Sequence, residues 1–173
     1  MKVQTIQPTG HELILEPDRY ILSSTDLTGR ITSINDVFIE YSGYGEDELL
    51  GQSHNIVRHP DMPRAIFWML WAALKEGEAF SGYVQNLCKD GSHYWVFAHI
   101  QPVADAEGDI TGYRSVRRRP SRSAVEKAST LYAEMRAAEM ATSPAEAIAV
   151  GLAVLRAHLA AAGQSYDQFV ARL

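Results

Sequence analysis

The stretch Asn55-Ile56-Val57-Arg58-His59-Pro60-Asp61-Met62-Pro63-Arg64 is the most informative part of this chain. It places three charged or titratable side chains, Arg58, His59 and Asp61, among prolines directly ahead of a strongly apolar segment. A loop that serves only packing has little need of such chemistry, whereas a loop at the mouth of a ligand pocket does. The stretch, named the Arg-His-Pro loop below, therefore indicates a binding site.

The residues on either side of the loop predict a mixed α and β domain. Two segments rich in β-branched residues, joined by a turn, come first, and two short helices lead into the loop. Three further strand patterns with intervening turns follow. The predicted strands are 19–25, 30–34, 81–88, 93–103 and 110–118, and the predicted short helices are 35–41, capped by Asn35, and 46–50.

A longer helix is predicted directly after the loop. Asp61 and Pro63 suit its first turn, because a proline there has no helical N–H to lose, and Gly77 is predicted to end it. Its apolar residues recur at three- and four-residue spacing, so one face is expected to be buried. These residues are Ile66, Phe67, Leu70, Trp71 and Leu74.

The loop resembles the signature of the PAS domains of bacterial aerotaxis receptors, which hold FAD without a covalent bond. The segments Ser42-Gly43-Tyr44 and Asp90-Gly91-Ser92-His93-Tyr94-Trp95-Val96 extend the resemblance, which covers roughly residues 20–120. It implies an α+β PAS fold, in which a five-stranded antiparallel sheet carries short helices on one face. In that fold the sheet and the long helix enclose a cavity.

The same resemblance implies the site residues. Arg58, His59 and Asp61 are expected to bind FAD, and four more residues are expected near the cofactor: Asn35, Trp71, Asn86 and Tyr94. Phe80 stands where a related flavin-binding group has tryptophan, so it keeps an apolar face but lacks the indole N–H. Leu87-Cys88 replaces the family's basic pair after Asn86. Flavin reduction is expected to turn an acceptor into a donor, to which the Asn86 amide would respond by flipping.

Simpler explanations exist for several of these residues. The Arg-His-Pro loop would also serve as a salt-bridge and helix-cap cluster, and Trp71 would also fit an ordinary core. The basic run Arg114, Arg117, Arg118 and Arg119 is expected to be a solvated edge or a contact with an acidic helix. Cys88 is expected to be a small buried or edge side chain rather than a photochemical one.

Other cofactors are less well supported by the sequence. The six histidines form no metal-binding pattern. Haem ligated by His59 is a minor alternative, because other PAS sensors bind haem through one histidine.

Residues 121–173 form a different region, rich in alanine and without strand patterns. A narrow apolar seam with 4-3-4-3 spacing runs along its first part: Ala124, Ala128, Leu131, Met135 and Ala138. Capping boxes at 143–146 and 165–168 predict two more helices. The predicted organisation is an irregular segment at 1–17, a PAS sensor domain at 18–120 and a helical extension at 121–173.

Composition restricts the class of protein. A net charge of −5 gives no reason to expect nucleic-acid binding. The single cysteine cannot form an internal disulfide. No apolar run approaches the ~18 residues of a membrane span, so a cytoplasmic protein without membrane insertion is the simplest interpretation.

The sequence therefore predicts a redox or oxygen-linked energy sensor that binds FAD and signals through protein contacts. A chemoreceptor or a histidine kinase is the expected partner, and the apolar seam also suits a homodimer. No catalytic constellation is visible, so no enzyme activity is expected. Two alternatives remain: a PAS interaction module without cofactor, and a small flavin reductase, for which no dinucleotide-binding motif is visible.

Overall fold

Tight turns at glycine set the register of the sheet in the computed structural model, which describes residues 6–173. Between the first two strands, the Asp26 carboxylate accepts hydrogen bonds from the backbone N–H groups of Thr28 and Arg30. Gly29 follows in the left-handed region at φ 80°, which glycine adopts without steric cost. The predicted hairpin is thereby confirmed.

The sheet has five antiparallel strands in the order β2-β1-β5-β4-β3, as the PAS resemblance predicts. The last strand has the predicted bounds, and the other four differ from the predicted bounds by at most two residues at either end. The strands are β1 (Ile21–Asp26), β2 (Ile31–Ile34), β3 (Phe80–Leu87), β4 (His93–Ala104) and β5 (Ile110–Arg118).

Six α-helices and one 3₁₀ helix complete the described chain. The short helices and the long helix lie between β2 and β3, and three helices follow the sheet, as predicted for residues 121–173. The helices are α1 (Asp36–Ser42), α2 (Glu46–Leu49), the 3₁₀ helix (His54–Val57), α3 (Arg64–Lys75), α4 (Arg122–Met140), α5 (Ala147–Ala162) and α6 (Tyr166–Arg172).

Two predicted helix starts are wrong, and the second capping box is right. The helix α3 begins at Arg64 and leaves Asp61 outside, because Pro63 is its extended N-cap. The helix α5 begins only at Ala147, because Ser143 donates its hydroxyl hydrogen to the Glu146 carboxylate in a preceding turn. In the last helix, Ser165 and Gln168 form the predicted reciprocal cap.

The segment before the first strand is irregular over residues 6–17, apart from a single bridge at Glu12, and residues 1–5 lie outside the described part. It is nevertheless packed, because Leu15 is buried and backbone hydrogen bonds join Leu13 and His11 to His93.

The helical extension packs against the PAS domain. Its seam is buried at Ala124, Ala128, Leu131 and Met135. Its contacts cover the open edge of β3, where the Tyr132 hydroxyl donates to the Tyr83 carbonyl and the Tyr83 hydroxyl donates to the Val170 carbonyl. Covering an edge strand removes a template for unwanted pairing.

A buried carboxylate of α4 caps the N-terminus of α3. Glu139 is 3 % exposed, and its two oxygens accept hydrogen bonds from the backbone N–H groups of Arg64 and Ala65, both at 2.9 Å. Pro63 offers no side-chain cap, so these N–H groups would otherwise lack partners. Gly151 of α5 lies so close that an added Cβ would be 2.5 Å from a Glu139 oxygen.

No single helix among residues 6–173 has the length and apolar character needed to cross a membrane. The helices α5 and α6 reach that length only together, and they are bent by 71° at their junction.

We expect Glu139→Ala to lower the free energy of unfolding by about 2 kcal/mol, because it leaves two buried N–H groups unpaired. Urea unfolding measures this, with Glu134→Ala on the exposed side of the same helix as the control, for which a change within about 0.5 kcal/mol is expected. Equal effects of the two substitutions would contradict the capping role.

Candidate cofactor pocket

The inner face of the sheet and α3 enclose a cavity, as the PAS resemblance implies. Its volume is about 730 Å³ when the open space at its mouth is included, but the centre of a water-sized molecule reaches only about 90 Å³ of it. A larger ligand therefore has to displace some of the lining side chains. The residues that line it are Ser23, Thr25, Gly29, His54, Asn55, Arg58, Phe67, Leu70, Trp71, Leu74, Val84, Asn86, Ala98, Ile100, Tyr113, Ser115 and Arg117.

Strand alternation puts polar side chains on the inner face. Side chains two residues apart point to the same side of a sheet, so Val84 and Asn86 of β3 face the cavity, as do Tyr113, Ser115 and Arg117 of β5. These polar groups form part of an otherwise apolar wall.

The opposite wall is the buried face of α3. Phe67, Leu70 and Trp71 line the cavity, and the Trp71 ring meets the Tyr113 ring edge to face at 5.6 Å. Trp71 also lies against Gly29 of the first hairpin, where an added Cβ would be 3.1 Å from the indole. The indole is therefore held in place from both sides.

Arg58 stands at the cavity with its guanidinium 4.1 Å from the centre of the Phe67 ring. The backbone of Arg58 forms an isolated antiparallel bridge with Asn86 of β3. Partial burial lowers the pKa of Arg58, although Glu139 opposes the shift. The bridge thus fixes the distance of Arg58 from the sheet, and its guanidinium remains available to a ligand.

The other two charged residues of the loop do not line the cavity. His59 is 2 % exposed, and its Nδ1 accepts a hydrogen bond from the Asp61 N–H at 3.2 Å. The Asp61 side chain is largely exposed and lies beside Met62 and Arg136 on another part of the surface. Burial lowers the pKa of His59, which favours the neutral ring. Any contact of this pair with a cofactor stays a prediction.

Three more predicted site residues lie outside the lining. Asn35 caps α1 and bonds to the backbone at Leu22 and Tyr20. Phe80 stacks on Tyr166 of α6 at 5.7 Å. Tyr94 is fully buried opposite Asn86 in the β3–β4 register, and its hydroxyl has no hydrogen-bond partner among the described residues. Arg58, Trp71 and Asn86 are therefore the predicted residues that the fold brings together.

Several cavity residues were not predicted from the sequence, and two of them, His54 and Arg117, are basic. His54 lines the cavity beside Arg117 and lies 5.7 Å from the Phe38 ring. Arg117 was expected at a solvated edge or against an acidic helix, which is wrong: it is 2 % exposed and no carboxylate in residues 6–173 pairs with it. The alternation Tyr113, Ser115, Arg117 was a signal that would have placed it inward.

Asn86 and Arg117 give a test of whether a flavin suits the cavity. Arg117 Nε and Nη1 are buried donors without a protein partner in the described chain, and Asn86 Nδ2 has only the neighbouring Tyr94 hydroxyl beside it, without good hydrogen-bond geometry. Buried donors normally have acceptors, and the edge of a flavin ring presents several. The aromatic and aliphatic walls suit its planar body. The chemical character of these residues therefore suits a flavin, and the cavity has to widen to admit one.

Cys88 is buried one residue beyond β3 and does not line the cavity. Its thiol approaches the Tyr41 carbonyl at 3.1 Å, and burial raises its pKa to about 12. The prediction of a small buried side chain is confirmed.

Comparison with known proteins now decides the family. The model described as "PAS fold" matches residues 31–117. The chain belongs to the PAS family. It is 46% identical over 123 residues to the aerotaxis receptor of Escherichia coli strain K12, covering 71% of this chain and 24% of that protein. A nitrogen fixation regulatory protein of Klebsiella pneumoniae is 29% identical over 105 residues, covering 61% of this chain and 21% of that protein.

This PAS protein spans a quarter or less of the length of these two curated relatives. Solved structures support the fold. The blue-light photoreceptor Aureochrome1 LOV in its light state has a TM-score of 0.58 at 20% identity, covering 64% of this chain and 88% of that one. The PAS domain of a Colwellia psychrerythraea protein has a TM-score of 0.54 at 22% identity, covering 60% and 87%.

Acid should destabilise the protein through His54. Burial and the charge of Arg117 lower the pKa of His54 to about 3, below its ordinary value near 6.5. The unfolded chain therefore binds a proton first, and this contribution to stability is present above about pH 6.5 and is lost as the pH falls towards 3. Between pH 7 and pH 5, His54 should account for a loss of up to about 2 kcal/mol.

Urea unfolding of the wild type and of His54→Gln at both pH values measures this contribution. The loss on acidification should be smaller in the variant. His99→Gln is the control, because His99 lies on β4 outside the cavity lining. An equal acid-induced loss in the wild type and His54→Gln would show that this ring titrates normally.

Proposed function

We propose that this PAS protein is a sensor that holds FAD non-covalently and reports redox or oxygen-linked energy state to a protein partner. The unpartnered buried donors of Asn86 and Arg117 in an apolar cavity carry the proposal. The 46% identity to an aerotaxis receptor over 71% of the chain supports it. The partner is proposed to be a signalling protein such as a chemoreceptor or a histidine kinase.

The protein residues would divide the work of holding the cofactor. Trp71 and Phe67 would pack against the planar ring system, and Asn86 would hydrogen-bond its edge. Arg58, a half-buried cation of the cavity lining, would meet the negatively charged part of the ligand, since guanidinium groups bind phosphates through paired N–H donors. A bound flavin supplies reversible electron uptake, and its reduction alters the hydrogen bonds that its ring edge offers.

A change at the cavity has a short path to the helical extension. Asn86 and Arg58 are joined through the backbone bridge. Two residues further along, the Pro60 carbonyl accepts a hydrogen bond from Arg136 of α4 at 3.2 Å, and Glu139 caps α3 from the same helix. We therefore propose that the Asn86 amide reorients on reduction and that α4 receives the change as the output element.

Haem is less well supported by the geometry than a flavin. His59 does not line the cavity, and its Nδ1 is already engaged with the Asp61 N–H.

We expect the purified protein to be yellow, with absorbance maxima near ~370 and ~450 nm that dithionite bleaches, and to release FAD on heating. Asn86→Ala should lower FAD affinity roughly ten-fold, because it removes one hydrogen bond between uncharged groups and leaves the buried acceptor of the ligand unpaired. Gln85→Ala, the neighbour in β3 that does not line the cavity, should leave affinity unchanged.

A protein that stays colourless after incubation with FAD would overturn the proposal in favour of an interaction module without cofactor. A Soret band would point to haem instead. Rapid NADH oxidation by the flavin-loaded protein would favour a reductase.

A further inference from the structure

Arg117 is a buried cation without a counter-ion. Its Nη2 donates to the Ser23 hydroxyl, and its guanidinium lies 4.5 Å from the centre of the Phe38 ring. Nε and Nη1 have no partner among the described residues. Burying an arginine without a carboxylate is strongly unfavourable, so packing alone does not explain why this side chain points inward.

The groups around the guanidinium do not neutralise it. His54 faces Arg117, and burial together with that positive charge keeps its pKa near 3, so the ring is neutral. Burial raises the pKa of Tyr94 far above its ordinary value, so this phenol is neutral too. Ser23, Asn86 and Ser115 carry no charge. Burial lowers the pKa of Arg117 itself only to about 10, which leaves it cationic at neutral pH.

We propose that Arg117 is an anion receptor inside the cavity, which binds a planar heterocycle through a carbonyl-rich ring edge that becomes negatively charged on reduction. The proposal rests on the proposed function, because it assumes that the ligand is a flavin. It assigns the recognition of the ring to Arg117 and Asn86, whose free donors both belong to the inner face of the sheet. Arg58, on the Arg-His-Pro loop, would bind the phosphates.

The consequence is a preference for the reduced ligand. Uptake of two electrons and one proton leaves a net negative charge on the ring system of a flavin, and a buried guanidinium stabilises that charge more than it stabilises the neutral oxidised ring. Arg117 would therefore set the redox level at which the sensor responds. It is a binding and positioning residue and takes no part in the electron transfer.

The experiment compares wild type, Arg117→Met, Arg117→Lys and the control Arg114→Met, whose side chain is exposed on the other face of the same strand. Each full-length protein is loaded with FAD or with riboflavin, which lacks phosphates. Dithionite titration under anaerobic conditions, with an indicator dye, gives the ratio of the affinities for reduced and oxidised flavin. Arg117→Met should lower this ratio at least ten-fold with both ligands, Arg117→Lys should lower it less, and Arg114→Met should not change it.

Three results would distinguish the alternatives. An equal ratio in wild type and Arg117→Met would overturn the role of Arg117 and leave the flavin sensor intact. An effect with FAD but none with riboflavin would place the guanidinium at the phosphates and overturn the assignment to the ring. Failure of the wild type to bind either flavin would overturn the proposed function itself.

A measurement without flavin tests whether Arg117 binds an anion. Nitrate, a small planar anion, should raise the melting temperature of the wild type and of Arg114→Met above the value in equal chloride, and it should have no such effect on Arg117→Met. Without added anion, Arg117→Met should melt at the same temperature as the wild type or higher, because an uncompensated charge is removed. A fall of more than about 5 °C with no nitrate effect in any protein would show a structural role instead.

Discussion

The carboxylate of Glu139 is the contact on which the arrangement of this protein depends. It comes from the helical extension, yet it supplies the cap that α3 lacks in its own sequence. The helix α3 in turn provides the aromatic wall of the cavity, and the Arg-His-Pro loop ends where α3 begins. The extension is therefore part of the structure that shapes the cavity, rather than an appendage that is merely attached to it.

The close approach of three helices makes this contact sensitive to geometry. Gly151 lets α5 reach Ala65 and Glu139, where a larger side chain would have to displace the carboxylate. Arg136, one turn before Glu139, holds the Pro60 carbonyl of the loop. A movement of the loop would thus alter the hydrogen bonds of both Arg136 and Glu139 on the same helix. Packed interiors move between discrete arrangements rather than deforming continuously, so a small shift of the loop can change the position of α4.

The polar groups of the cavity lower the stability of the ligand-free protein and favour ligand binding. A structure selected only for stability would not bury Arg117 and Asn86 with free donors, since unpaired buried polar groups are unfavourable. Such groups are common at binding sites, where the ligand supplies the missing partners. The same reasoning explains why the polar residues converge on one patch of an otherwise apolar inner face.

The fold could be predicted from the sequence because it depends on local signals. Alternating strands, glycine turns and the apolar spacing of α3 each act within about ten residues. The Arg-His-Pro loop in addition indicated the family. Errors arose at helix starts and where distant contacts decide. The Ser143 box did not start α5, because its side chain bonds to Glu146 within a turn.

The site was predicted only in part. Arg58, Trp71 and Asn86 reach the cavity, whereas His59 is turned into the protein by its bond with the Asp61 backbone. Arg117 was interpreted as part of a basic run, although strand alternation separates it from Arg114 and Arg118. Glu139 was unpredictable, because nothing near it in the chain indicates that its partners lie 75 residues away.

The central claim is that the cavity and α4 are coupled through the Arg-His-Pro loop. Amide hydrogen exchange of the flavin-loaded protein, followed by mass spectrometry in the oxidised and the dithionite-reduced state, tests it most directly. The account predicts that exchange changes at the start of α3 and around Arg136 and Glu139 of α4, while α2, on the other side of the loop, stays the same. Identical exchange of α4 in both states would contradict the coupling.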